Sequence, residues 1–225
     1  MIPSTNTHRS AIGFLVVLAI LLSPGLLAAQ EEMNPALLDT KLAAEKAPET
    51  FKVRMETTAG NFTIQVHRDW APHGADRFYN LVKIGYYNDI AFYRVVAGFM
   101  AQTGMNGNPK VSAVWLNSYI PADEVRQSNT TGRVSFAMGG KPDSRSAQFF
   151  INYVDNSYLD PMGFAPFGEV VEGFDSVQAL HNGYGEGAPR GKGPDQNKLD
   201  RGGNAYLKGA FPNLDYIVSA TIASE

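Results

Sequence analysis

The sequence contains no cysteine. Disulfide bridges, thiolate zinc sites and cysteine nucleophiles are thereby excluded. Positive charge is also scarce. Nineteen Lys and Arg stand against 22 Asp and Glu, a formal net charge of -3, which leaves no basic footprint for nucleic acid. The four histidines, His8, His67, His73 and His181, show no metal-ligand spacing. No Gly-x-Ser-x-Gly elbow is present. Asp123-Glu124, beside Pro121, reads as a solvated turn. Hydrolase chemistry therefore has no visible nucleophile or base. A glycine- and charge-rich stretch, Gly183 to Gly203, holds Gly-Tyr-Gly-Glu-Gly. It lacks the lysine and the following apolar helix of a phosphate loop, and it reads as a surface loop.

One uninterrupted apolar run is present, Ala11 to Leu22. His8 and Arg9 precede it, and Ser23-Pro24-Gly25 and Leu26-Leu27-Ala28-Ala29-Gln30 follow. A basic start, an apolar block and small residues read as a secretory signal peptide cleaved near Ala29. The run falls short of the roughly 20 residues that span a bilayer, and Pro24-Gly25 would end its helix. The expected product is secreted or periplasmic, with no membrane attachment after cleavage. Residues 1–29 are thus assigned to the signal, 30–50 to a leader with a short helix in Asn34 to Lys46, and 51–225 to one folded domain.

From Phe51 onward the pattern is that of a sheet. Phe51 to Thr57 and Phe62 to Val66 alternate apolar and polar residues around Thr58-Ala59-Gly60-Asn61, which predicts a hairpin. Ala71 to Ile84 has helical spacing, with Pro72 at its start and Gly85 at its stop. Further strands are expected at Ile90 to Val96, Gly132 to Met138, Gln148 to Tyr153, Phe167 to Val171 and Ile217 to Ile222. A short helix is expected at Gly173 to His181. Many short strands with Gly- and Pro-rich connections suggest a sandwich or a closed barrel. Asn61-Phe62-Thr63 and Asn129-Thr130-Thr131 match glycan acceptors, which matter only in a eukaryotic secretory path.

Three stretches combine polar and apolar residues in a way a plain core would not. Ala91 to Gly104 is apolar but carries Arg94 and Gln102. Arg133 to Ile151 ends in Gln148-Phe149-Phe150, and Asn156 to Val170 holds Tyr158, Leu159 and Phe164. Arginine is almost never fully buried without a partner. If alternation puts Arg94 and Gln102 beside Phe99, Met100, Met138, Phe150 and Leu159, the result is an apolar cup with a few aimed donors. Small-ligand and peptide sites have that make-up.

Phe92-Tyr93-Arg94-Val95-Val96-Ala97-Gly98-Phe99-Met100-Ala101-Gln102 resembles the signature of the cyclophilins, the peptidyl-prolyl cis-trans isomerases. Ser146-Ala147-Gln148-Phe149-Phe150-Ile151 resembles a second block of that family, and Leu159-Asp160 with Phe167-Gly168-Glu169-Val170 resembles a third. The resemblance covers about Phe51 to Ile222, in the family's order. It implies a mainly β fold, a closed eight-stranded antiparallel barrel capped by two helices. It implies rotation about X-Pro bonds without a cofactor or metal, acting on proline-containing peptides and folding proteins. In an exported chain, the role would be to assist the folding of exported proteins. A monomer is expected.

Arg94 and Gln102 are then the catalytic pair, Arg94 as donor to the proline nitrogen and Gln102 as holder of the substrate backbone. Phe99, Met100, Phe150 and Leu159 form the pocket for the proline ring, with Met138, Tyr158 and Phe164 beside them. Gln148 orients Arg94 or the substrate, and the backbone of Gly139-Gly140 pairs with the extended peptide. The chain departs from the family pattern at several points. Tyr93 replaces histidine and is expected to change packing only. Gly139-Gly140 replaces Ala-Asn. Tyr158 replaces tryptophan, which predicts weak cyclosporin binding. Phe164 falls near a position usually held by histidine or tyrosine. The changes at Gly140 and Phe164 leave a second reading open, a proline-peptide-binding chaperone or scaffold module without turnover.

Overall fold

The computed structural model describes residues 1, 3 and 33–224. The chain divides into two units, 1–32 and 33–225. The expected signal peptide lies almost wholly outside the described residues, and the second unit holds the folded domain. Among the described residues no helix is long and apolar enough to cross a membrane.

Local patterning produces the first elements as expected. Strands β1 (Thr50–Thr57) and β2 (Gly60–His67) form an antiparallel hairpin. Its register pairs Phe51 with Val66, Val53 with Ile64 and Met55 with Phe62. All six side chains are buried on one face, as the period of two demands. Helix α1 (Pro72–Lys83) follows, with Pro72 in its first turn and Ala75, Phe78, Leu81 and Val82 buried. Ala71, its N-cap residue, supplies no side-chain bond. Asp123 does so from a distant loop, accepting from the His73 and Gly74 N–H groups at 3.0 and 2.9 Å. The same carboxylate meets Arg145 at 3.0 Å, with the two side chains 2% and 1% exposed. Asp123 is therefore not solvated, whereas Glu124 beside it is exposed and meets the exposed Arg126. Asp123 ties the start of α1 to a buried arginine.

The remaining strands are β3 (Ile90–Ala91), β4 (Arg94–Val96), β5 (Met100–Thr103), β6 (Arg133–Phe136), β7 (Phe149–Asn152), β8 (Pro166–Glu172) and β9 (Tyr216–Ser224). They join β1 and β2 in one antiparallel sheet of order β3-β9-β1-β2-β8-β6-β7-β5-β4. Its inward residues share a single core with α1, where Phe78 packs against Tyr87, Phe149 and Phe167. The fold is mainly β, but among the described residues the sheet has nine strands where eight were expected. The segment 90–96 breaks in two because the chain changes partners. Ile90 and Ala91 pair with β9, whereas Arg94 to Val96 pair with β5. Phe92 and Tyr93 at the break point into different apolar clusters.

The helix count also differs. Besides α1 and α3 (Phe174–Gln178), there are α2 (Pro109–Leu116) and α4 (Gln196–Ala210). Part of the stretch expected as a glycine-rich loop is thus helical. Asp195 caps α4, accepting from the Asn197 and Lys198 N–H groups. The helix kinks at Gly203, whose φ is 53°, and a Cβ there would stand 2.1 Å from the Gly107 carbonyl oxygen. Leu199 and Leu207 of α4 are buried with Tyr93, Met105 and Leu214 in a second apolar cluster.

Residues 33–50 are not a detached leader. They form two 3-10 turns, Pro35–Leu37 and Thr40–Leu42, and dock on the helices. Trp115 donates to the Leu37 carbonyl at 3.1 Å, and Ala47 N–H donates to Asp76 at 2.9 Å. Asn80 both accepts from the Glu45 N–H and donates to its carbonyl.

Candidate active site

The site is built on the outer face of β4, β5 and β7. Register decides which residues lie there. Val95, Ala101, Ile151 and Val134 sit opposite one another and face the core. Their neighbours in sequence face the other way, and there Arg94 is paired with Gln102 and Gln102 with Phe150. Met100, Phe150 and Leu159 form a separate buried cluster, with Val96, Phe99, Ala137 and Phe164 packed against it. The apolar cup expected from the sequence is therefore present.

The cup opens into a cavity of about 460 Å³. Arg94, Gln102, Phe99, Met100, Met138, Gly139, Gln148, Phe150, Leu159 and Phe164 all line it. Gly140 and Tyr158 stand beside the lining rather than in it. Gly140 is exposed, and Tyr158 lies outside Phe99, its ring stacked at 6.4 Å. Sequence reasoning missed several wall residues: Tyr119 after α2, Ser144 and Ser146 in the loop before β7, and Glu186, Arg190 and Gln196 around the start of α4.

A hydrogen-bond chain runs across the floor. Arg94 Nη1 donates to Gln102 Oε1 at 2.8 Å. Gln102 Nε2 donates to the Tyr93 hydroxyl at 2.7 Å and to Gln148 Oε1 at 3.0 Å. The Tyr93 hydroxyl donates in turn to Gln148 Oε1. Both amide hydrogens and the carbonyl of Gln102 are thus in use. Gln102 orients Arg94 instead of lying open to a substrate backbone, and Gln148 acts one step behind it. Tyr93 does more than pack. It is 1% exposed, and burial pushes its hydroxyl well above the usual phenol range, so it remains a neutral donor and acceptor.

The guanidinium is held on its other side by Glu186, through Nε and Nη2 at 2.7 Å each. The hydrogen bond from Arg94 holds the Glu186 carboxyl below the usual carboxylate range. Arg94 also lies 5.7 Å from the centre of the Phe99 ring. A fixed, always-charged donor above an apolar cup can bind a group that is apolar around a developing lone pair. Among the described residues no group of three or more His, Cys, Asp or Glu is placed to hold a metal ion.

Leu159 owes its place to Asp160 beside it. Asp160 accepts from the backbone and side-chain amides of Asn129 at 3.0 and 2.7 Å, and from the Ser128 hydroxyl at 2.5 Å. Asn129, fully buried, also donates to the Phe164 carbonyl and accepts from Ser135. One interior side chain thereby fixes two members of the cup wall.

Comparison with known proteins agrees with this geometry. The sequence profile of the cyclophilin type peptidyl-prolyl cis-trans isomerases matches residues 52–197. A peptidyl-prolyl cis-trans isomerase of Acinetobacter baylyi is 35% identical over 137 residues, covering 58% of this chain and 71% of that protein. Peptidyl-prolyl cis-trans isomerase A of Dickeya dadantii is 35% identical over 133 residues, covering 57% and 70%. A solved Cryptosporidium parvum cyclophilin shares the fold, with a TM-score of 0.59 and 22% identity over 78% of this chain and 99% of that one. The same parasite protein has been crystallised in the presence of the dipeptide Ala-Pro, with a TM-score of 0.58. The ordered blocks, the sheet and the profile agree: the chain belongs to the cyclophilin type peptidyl-prolyl cis-trans isomerases.

Proposed function

We propose that the cup beneath Arg94 is where this isomerase rotates X-Pro bonds, with Arg94 as the catalytic donor. Resonance makes the C–N bond partly double, with a barrier of about 18–20 kcal/mol. Midway through rotation the nitrogen leaves conjugation, becomes pyramidal and carries a lone pair that the planar amide lacks. A donor aimed at that nitrogen binds the transition state better than the substrate, which is the condition for catalysis. The proline ring sits on Phe99, Met100, Phe150 and Leu159, Phe164 closes the wall, and the extended peptide passes Met138 and Gly139. The observation that carries the reading is the fixed position of the Arg94 guanidinium, bonded to Gln102 at 2.8 Å beside the apolar cluster. Ala-Pro, the dipeptide present with the parasite cyclophilin, has the chemistry this cup suits.

Exchange NMR on an X-Pro tetrapeptide tests this. The unmodified chain should accelerate exchange, and Arg94→Ala should lose about 100- to 1,000-fold, the effect of removing one preorganised donor. Binding without faster exchange would instead favour the non-catalytic module. In the cell, the protein assists folding of exported proteins, a role supported by the apolar run Ala11 to Leu22 and its flanks. Cleavage near Ala29, read by N-terminal sequencing of protein recovered outside the cytoplasm, is the corresponding check. We also infer that the sheet acts as a closed eight-stranded barrel, with β3 and β4 as one bent strand joining its two ends.

A further inference from the structure

We propose that Glu186 is a positioning residue for the isomerase reaction, holding the Arg94 guanidinium side-on so that its remaining N–H edge faces the apolar cup. The inference rests on the reading of Arg94 as the catalytic donor. It adds a residue from outside the three sequence blocks, on a loop whose composition suggested no role.

The contact has the two parallel bonds of a strong arginine–carboxylate pair, Nε to Oε1 and Nη2 to Oε2, both at 2.7 Å. It joins residues 92 positions apart. The Arg94 side chain is 20% exposed and that of Glu186 is 32% exposed, so the pair is partly shielded from water. A guanidinium has five N–H donors. Two go to Glu186 and one to Gln102, while the Met100 sulfur, a weak acceptor, lies 3.9 Å from Nη1. The pair therefore fixes the plane of the guanidinium without exhausting its donors. Arginine remains charged throughout.

A carboxylate can hold another side chain only if it is itself held. The Glu186 carbonyl accepts from the Gly193 N–H at 2.8 Å, and Oε1 accepts from the Gly187 N–H at 2.9 Å. Gly191 N–H donates to the Gly187 carbonyl at 3.0 Å. The turn is closed so tightly that a Cβ on Gly191 would stand 2.2 Å from the Glu186 carbonyl oxygen. Both ends are anchored. Tyr184 packs edge-on against Phe211 at 5.1 Å. Asp195 starts α4, whose Leu199 and Leu207 are buried in the same cluster as Tyr93. The loop and the floor of the site thus rest on one packed unit. Fixing Arg94 before the substrate arrives removes that ordering cost from the reaction step.

Steady-state isomerisation by the whole chain tests the proposal, with kcat and KM separated for Glu186→Ala, Glu186→Gln, Arg94→Ala and the Glu186→Ala/Arg94→Ala double variant. Glu186→Ala should lower kcat about tenfold, within the roughly 100-fold that a 1 Å misplacement can cost, and move KM less than about twofold. Glu186→Gln keeps one acceptor and should recover part of the loss. The double variant should match Arg94→Ala, because a residue acting only through Arg94 has nothing left to position. An unchanged or raised kcat in both Glu186 variants would overturn the proposal, as would an additive loss in the double variant. If Glu186→Ala does not fold, Glu186→Gln alone decides by the same criterion. Full activity in Arg94→Ala would instead overturn the donor reading beneath it.

Discussion

Tyr93 stands where the family pattern has histidine, and its hydroxyl links Gln102 to Gln148. Tyr93→Phe keeps the ring in its cluster and removes only that link. The two lost hydrogen bonds should cost about 2 kcal/mol of stability, at about 1 kcal/mol each, read by urea denaturation, and kcat/KM should fall because Gln102 loses one of the partners that hold it against Arg94. Asp123 belongs to stability alone. Asp123→Ala leaves Arg145 buried without its anion and α1 without its cap. Breaking such a pair costs about 3–5 kcal/mol, which urea denaturation should show while the remaining folded molecules keep their activity. At this scale the sequence was legible where period decides. Arg94, Gln102 and Phe150 share a face because strands alternate. Glu186 was not legible, because a pairing across 92 positions leaves no trace in local spacing.

The element that most changes the picture is α4. Gly202-Gly203 and the glycines before Asp195 made this region read as a loop, although Asp195 followed by Leu199, Gly203 and Leu207 has a cap and a spacing of four. The kink at Gly203 breaks the helical pattern at its middle, which hid the signal. Asp195→Ala should cost about 1 kcal/mol through the lost cap, measurable by denaturation. The hairpin and α1 were readable because each carries its own complete pattern with turn residues at its ends. The split of 90–96 was not. Nothing in an apolar run states that its two halves pair with opposite ends of a sheet.

For the molecule as a whole, the N-terminal residues 33–50 count as structure. A chain starting at Thr50 loses the hydrogen bonds from Trp115 to Leu37, from Ala47 to Asp76, from Arg68 to the Glu49 carbonyl and two between Glu45 and Asn80, together with the exposed Lys83–Glu45 ion pair. At about 1 kcal/mol for each of the five hydrogen bonds, and little for the exposed ion pair, the truncated chain should be about 5 kcal/mol less stable in urea. Acid should weaken the link between the Glu186 loop and the sheet. The folded Glu186 carboxyl titrates below its ordinary 4.5, chiefly because Arg94 donates to it. Its contribution is therefore complete above the unfolded value and fades as pH falls through the lower folded one. Urea midpoints of the unmodified chain and Glu186→Gln should differ most above the ordinary carboxyl value and draw together as pH falls through the lower folded one.

Asn129 has one practical consequence for production of the protein. Its side-chain amide is sequestered among Asp160, Phe164, Ser135 and Asn152, yet Asn129-Thr130-Thr131 reads as a sugar-attachment sequon. A yeast or insect secretion host modifies such sequons on the emerging polypeptide, before the interior has closed. A sugar on Asn129 would block the packing that seats Leu159 and Phe164, whereas one on Asn61, exposed at the start of β2, would hang in solvent. Bacterial expression avoids the conflict, and Thr131→Ala would relieve it in a eukaryotic host.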